Sequence, residues 1–139
     1  MTTAPADSSL AWTNTPTKFG ASVADLHIIE TEPGRGVEAV PGKFVVVRYT
    51  GWLYDASTPD GRGRQFDSTA GRIAAFGFFL GTGKVIAGWD EGLVGMRVGG
   101  QRTLVIPSGM AYGQHGGAGG IPPNAPLVFD IELVDVRDR

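Results

Sequence analysis

One segment of this sequence carries helical periodicity, and it is short: Val85-Ile86-Ala87-Gly88-Trp89-Asp90-Glu91-Gly92-Leu93. Val85, Ile86, Trp89 and Leu93 recur close to every 3.6 residues and so share one face. Around it the strong apolar segments read as strands. A lone helix in a β-rich chain buries its apolar face by lying on a twisted sheet. Trp89 sits at the centre of that face. It either fills core, the common fate of a tryptophan, or forms the floor of a functional pocket.

The flanking segments define the sheet. Lys43 to Tyr54 is rich in β-branched and aromatic residues, as are Gln101 to Pro107 and Leu127 to Val136. In the last of these Leu127, Phe129, Ile131 and Leu133 share one parity, while Asp130, Glu132 and Asp135 interrupt the rest. Ala21 to Glu32 suits an opening strand, Phe66-Asp67-Ser68 is extended after a polar loop from Ala56 to Gln65, and Gly71 to Leu80 alternates enough for another strand. With 22 Gly and 9 Pro in 139 residues, tight turns outnumber long helices, and a Gly-rich tip runs from Tyr112 to Pro123. The prediction is an α+β fold: a strongly twisted antiparallel β-sheet of five to six strands wrapped around one short α-helix. Residues 21–139 form one domain, and residues 1–20, rich in Thr, Ser, Ala and Pro, form a flexible extension that carries Trp12.

Several functions are excluded by what the chain lacks. A formal charge of −2 without a Lys/Arg cluster argues against nucleic acid, and no apolar run reaches membrane-spanning length. Met1 to Asn14 has neither a basic start nor an apolar core, so no signal peptide is expected and the cytoplasm is the default compartment, with a mature exported form as the alternative. There is no Cys, hence no disulfide and no thiol nucleophile. Gly81-Thr82-Gly83-Lys84 fails as a phosphate loop, because Phe78 replaces the first Gly and Val85 the magnesium-binding hydroxyl. Asp55 to Phe66 fails as a calcium loop, lacking its closing Glu. The two histidines, His27 and His115, have no ligand partners at metal-site spacing, so neither a metal nor a cofactor is expected. Asp67 with Asp90 or Glu91 would be the carboxylate pair of a hydrolase, but the helix acids are expected to face solvent. What remains is an apolar constellation: Tyr49, Phe66, Phe76, Phe78, Val85, Ile86, Trp89, Tyr112, Ile121 and Phe129. It makes either a well-filled core or an apolar cavity with a few polar groups at its rim.

Five blocks then occur in a telling order: Val47-Arg48-Tyr49-Thr50-Gly51, Phe66-Asp67-Ser68, Val85 to Gly92, Ala111-Tyr112-Gly113, and Ile121-Pro122-Pro123-Asn124 through Leu127-Val128-Phe129-Asp130. From about Val23 to Val136 the succession resembles the FKBP-type peptidyl-prolyl cis/trans isomerases, the immunophilins. The resemblance implies substrate contacts from Tyr49, Phe66, Phe76, Val85, Ile86, Trp89, Tyr112, Ile121 and Phe129, with Asp67, Tyr112, Phe129 and Trp89 as the catalytic set. Trp89 would lie under the substrate proline, the Ile86 amide and the Tyr112 hydroxyl would donate to ligand carbonyls, and Asp67 would sit at the rim with Arg72 as partner. It also implies a monomer that binds X-Pro polypeptides, assists folding, and takes macrolide inhibitors of the FK506/rapamycin type. Met110, Gly117 and Gly120 depart from the family pattern and predict a thinner wall above the pocket.

The absence of nucleophiles suits that chemistry. The X-Pro bond turns slowly because resonance gives it double-bond character, with a barrier of roughly 18–20 kcal/mol. A dry aromatic pocket that fits the twisted amide needs no proton transfer. Two rivals share the sequence: a catalytically silent binding module built on the same cavity, and a carboxylate hydrolase with a steep pH profile.

Overall fold

The computed structural model describes residues 23–71, 74–117 and 120–138; the expectations for residues 1–20, Trp12 and Arg72 fall outside them. Strands β1 (His27–Glu32), β2 (Phe44–Tyr54), β3 (Arg62–Ser68) and β4 (Phe76–Phe79) precede helix α1 (Ala87–Gly92), and β5 (Gln101–Ile106) and β6 (Leu127–Arg137) follow it. They form one six-stranded sheet in the order β1-β5-β6-β2-β3. Every pairing is antiparallel. β4 pairs with residues 44–47 of β2 and β3 with residues 50–54, so the two share the edge of β2 that faces away from β6.

Three strand boundaries differ from expectation. β3 begins at Arg62, inside the stretch that reads as a polar loop. An edge strand needs backbone pairing more than buried side chains, and β3 pairs through two irregularities, between Gly51 and Trp52 and between Trp52 and Tyr54. β4 keeps only four of the ten residues with strand character, and β1 starts at His27 rather than Ala21.

The helix side of the sheet carries the core. Val45, Val47, Ile131, Leu133, Leu104 and Ile106 are fully buried there together with Leu93 and Met96 beyond α1. α1 approaches β5 through two glycines: a Cβ on Gly88 would lie 2.6 Å from Ile106, and one on Gly92 would lie 2.8 Å from Leu104. That closeness brings Trp89 down onto β2 and β6.

The far side holds a correction. Asp130 reads as a break in a half-buried strand, yet the first five residues of β6 are all buried and Asp130 is among them. Its Oδ1 accepts from Thr103 Oγ1 of β5 at 2.9 Å and from Arg62 Nη2 of β3 at 2.6 Å. The guanidinium crosses β2 above Trp52, 5.2 Å from its ring centre. A buried carboxylate is tolerable only with such partners, and parity alone does not reveal them.

Candidate functional site

α1, β2, β3, β4 and β6 converge on a cavity of about 190 Å³ lined by Tyr49, Phe66, Asp67, Phe76, Lys84, Val85, Ile86, Trp89, Tyr112 and Phe129. Trp89, 4% exposed, is at its base. The rings of Tyr49 and Phe129 meet it at centroid distances of 4.9 and 5.2 Å and angles of 80° and 82°. Phe76 stands 6.0 Å from Trp89, and Phe66 stands 5.5 Å from Phe129. Near-perpendicular packing of this kind sets the positive ring edge against a negative ring face and locks each side chain in one orientation. It also suits the indole Nε1, which is buried without a nitrogen or oxygen partner.

Strand geometry explains the convergence. Tyr49, Gly51 and Phe129 lie on the helix side, and Gly51 pairs directly with Phe129. A Cβ at Gly51 would fall 2.6 Å from Phe129 and 2.8 Å from Phe66, so only glycine lets those two rings meet. Tyr49 is anchored where the edge passes from β3 to β4. Its N–H donates to Thr69 Oγ1 at 3.0 Å, and its carbonyl accepts from the Thr69 N–H at 2.8 Å. Thr69 is buried and fills the break in the ladder.

The polar groups are few. Tyr49 Oη donates to Asp67 Oδ2 at 2.5 Å, and the Ser68 N–H donates to Asp67 Oδ1 at 2.8 Å. Asp67 is the sole carboxylate among the lining residues. Burial, and then the charge of Asp67, push the Tyr112 phenol above its ordinary value, so it stays a hydrogen-bond donor throughout the neutral range. Asp90 does not face idly into solvent as expected. Its two oxygens accept from the Gly81 and Gly83 amides at 2.8 and 2.9 Å and clasp the turn that enters α1. With Asp90 so occupied and outside the cavity, the carboxylate pair a hydrolase needs is not assembled. Among the described residues, no cluster of three His, Cys, Asp or Glu could hold a metal ion.

Of the ten residues inferred from sequence to form the site, nine line the cavity. Ile121 does not: it is buried in the core and bridges to Gly117 across the tip. Phe78, a candidate in the aromatic constellation, lies beneath the floor with its centroid 5.8 Å from Trp89. Lys84, Gly51 and Thr69 were missed as site residues. Lys84 could have been found from its place one residue before Val85 and Ile86. Thr69 carries no sequence signal, since its role exists only where β3 gives way to β4.

The cavity has the size and the aromatic lining to take an apolar ring, with the Tyr112 hydroxyl as a hydrogen-bond donor at its wall. A sequence model described as FKBP-type peptidyl-prolyl cis-trans isomerase matches residues 36–134. An FK506-binding protein of Neisseria meningitidis serogroup B is 49% identical over 113 residues, covering 81% of this chain and 97% of that protein. The peptidyl-prolyl cis-trans isomerase FPR2 of Saccharomyces cerevisiae is 50% identical over 125 residues, covering 87% of this chain and 88% of that one. Among solved structures, FkpA from Escherichia coli superposes with a TM-score of 0.69 at 42% identity, over 81% of this chain but 48% of FkpA. AtFKBP13 gives 0.67 at 38% identity, over 79% and 91% of the two chains. The chain belongs to the FKBP-type peptidyl-prolyl cis-trans isomerase family.

Proposed function

We propose that this protein accelerates cis–trans rotation about X-Pro bonds in flexible polypeptides by enclosing the proline in the Trp89 pocket. The observation that carries this reading is the cavity itself: five aromatic side chains around one indole floor, with a single carboxylate already engaged by Tyr49. Phe66, Phe76, Tyr49 and Phe129 wall the ring, and Trp89 bears its flat face. Moving a planar amide into this dry enclosure strips water from its resonance-stabilised dipole, whereas the twisted amide is less polar and loses less. The Tyr112 hydroxyl and the Ile86 amide hold the flanking carbonyls, so binding energy fixes the chain while the bond turns. Each tenfold in rate asks for about 1.4 kcal/mol, within reach of a few such contacts. The relatives named as FK506-binding proteins support macrolide binding in this cavity.

A protease-coupled assay on a short peptide with Leu or Phe before Pro tests the reading. Micromolar protein is expected to accelerate isomerisation with a rate nearly flat from pH 6 to 9, because Tyr112 is held protonated and no group in the step must titrate. Acceleration should vanish as FK506 saturates the pocket and quenches Trp89 fluorescence. Macrolide binding without acceleration would instead identify a silent binding module.

A further inference from the structure

Lys84 brings a positive charge to a pocket lined by aromatic and aliphatic side chains and by Asp67. It lines the cavity, is exposed, and has no ion-pair partner among the described residues. The acids around it are committed elsewhere. Asp67 accepts from Tyr49 and Ser68, and both oxygens of Asp90 are taken by backbone amides. The Asp90 clasp also fixes the turn that delivers Lys84, since it grips Gly81 and Gly83, both left-handed at φ 80° and 77°. The Lys84 backbone is therefore held at the lip, while its four-carbon stem lets the ammonium reach over the mouth.

We propose that Lys84 makes this pocket select proline segments that carry a carboxylate side chain within two residues of the proline. The inference rests on the isomerase reading and names its substrate class: acidic polypeptide segments, with the proline ring in the cavity and the acid outside it. Because Lys84 is exposed and the acid it attracts lies outside the cavity, that attraction is the same in ground and transition states. Such uniform binding appears in KM. Lys84 is a single charge at one place on the cavity's rim, so the preference belongs to one flank of the proline.

The test is a peptide series with Glu, Gln or Lys scanned through the two positions on each side of a Leu-Pro core. kcat and KM are measured at low salt and in 0.5 M NaCl, roughly a Debye length of 4–5 Å. At one flank Glu is expected to exceed Lys by about three- to fivefold in kcat/KM, the scale of one near-surface charge pair, with the difference in KM and lost in high salt. Lys84→Glu should invert the preference at that flank, and Lys84→Gln should abolish it. A Glu-to-Lys ratio near one at all four positions in the wild-type protein overturns the proposal, as does a ratio that Lys84→Glu leaves unmoved. No acceleration of even the Gln peptides overturns the isomerase reading and this inference with it.

Discussion

The pocket depends as much on an absent side chain as on the rings that line it. Gly51 lies opposite Phe129, and a methyl there would stand 2.6 Å from Phe129 and 2.8 Å from Phe66. Phe129 is buried against Trp89 and cannot swing aside without disturbing the floor. Gly51→Ala is therefore expected to cost about 1–3 kcal/mol of stability through overpacking and to lower kcat/KM at least tenfold. Gly109→Ala, whose Cβ would meet nothing within 4 Å, is the control for both measurements. Wild-type activity in Gly51→Ala would show that the two rings do not set the wall. At this scale the sequence was informative because the family pattern is one of residue identities in order, and identity survives small shifts of backbone. It could not show the Tyr49–Thr69 pairing or the double clasp of Asp90, for both arise where the chain leaves regular structure. Asp90 was misread for a physical reason: helical periodicity places a residue on a face, but does not say whether a loop comes back to cover it.

At the scale of elements, the question is what holds a six-residue helix in place. Alone it would be too short to persist in water, so its stability is tertiary. Gly88 and Gly92 let it sink onto Ile106 and Leu104, and Trp89, between them in sequence, reaches the opposite wall as a result. Two effects compete in Gly88→Ala. Helical propensity favours alanine by about 1 kcal/mol, whereas overpacking costs about 1–3 kcal/mol. Here the methyl would meet three side-chain atoms of Ile106 between 2.6 and 2.9 Å, on a residue with no exposure and a β-branched, stiff χ1. Overpacking should win. Urea denaturation is expected to show a net loss of about 1–2 kcal/mol, with macrolide affinity falling because Trp89 is carried outward. Combining it with Ile106→Val should recover part of both; a Gly88→Ala protein more stable than wild type would refute the argument. The helix was legible from its period, but its start was not. Val85 and Ile86 share the apolar face, yet Ile86 is extended at ψ 149° and serves as the N-cap, because these two residues line the cavity instead of continuing the helix.

For the whole molecule, the far side of the sheet matters as much as the pocket side. Arg62, Asp130 and Thr103 tie β3 across β2 to β6 and β5, and β3 is the strand that presents Phe66 and Asp67 to the cavity. Alternation in β6 conceals this, since a polar residue at the outward parity ordinarily means solvent. Burial raises the Asp130 carboxyl, and the Arg62 hydrogen bond and charge pull it back only in part. Arg62→Met would leave the carboxyl buried with its guanidinium gone. The expected cost at pH 7 is about 3–5 kcal/mol, the usual price of stranding one buried charge. The Asp130 pKa should then climb further, and the sign follows from linkage. A carboxyl raised in the folded state contributes stability that is present below its unfolded pKa and lost as pH rises through its folded value. The variant should therefore regain ground on wild type as pH falls from 7 toward 4. Asp55, Asp135 and Asp138 are lowered by their hydrogen bonds, and the contribution they lose in acid is common to both proteins, so it drops out of the comparison. Urea midpoints at pH 7, 5.5 and 4 measure the gap between the two proteins. A gap that narrows with acid assigns the cost to the carboxylates that Arg62 holds, Asp130 and its neighbour Asp60, 3.3 Å from the guanidinium; a constant gap would mean that Arg62 acts by packing on Trp52 rather than by its charge.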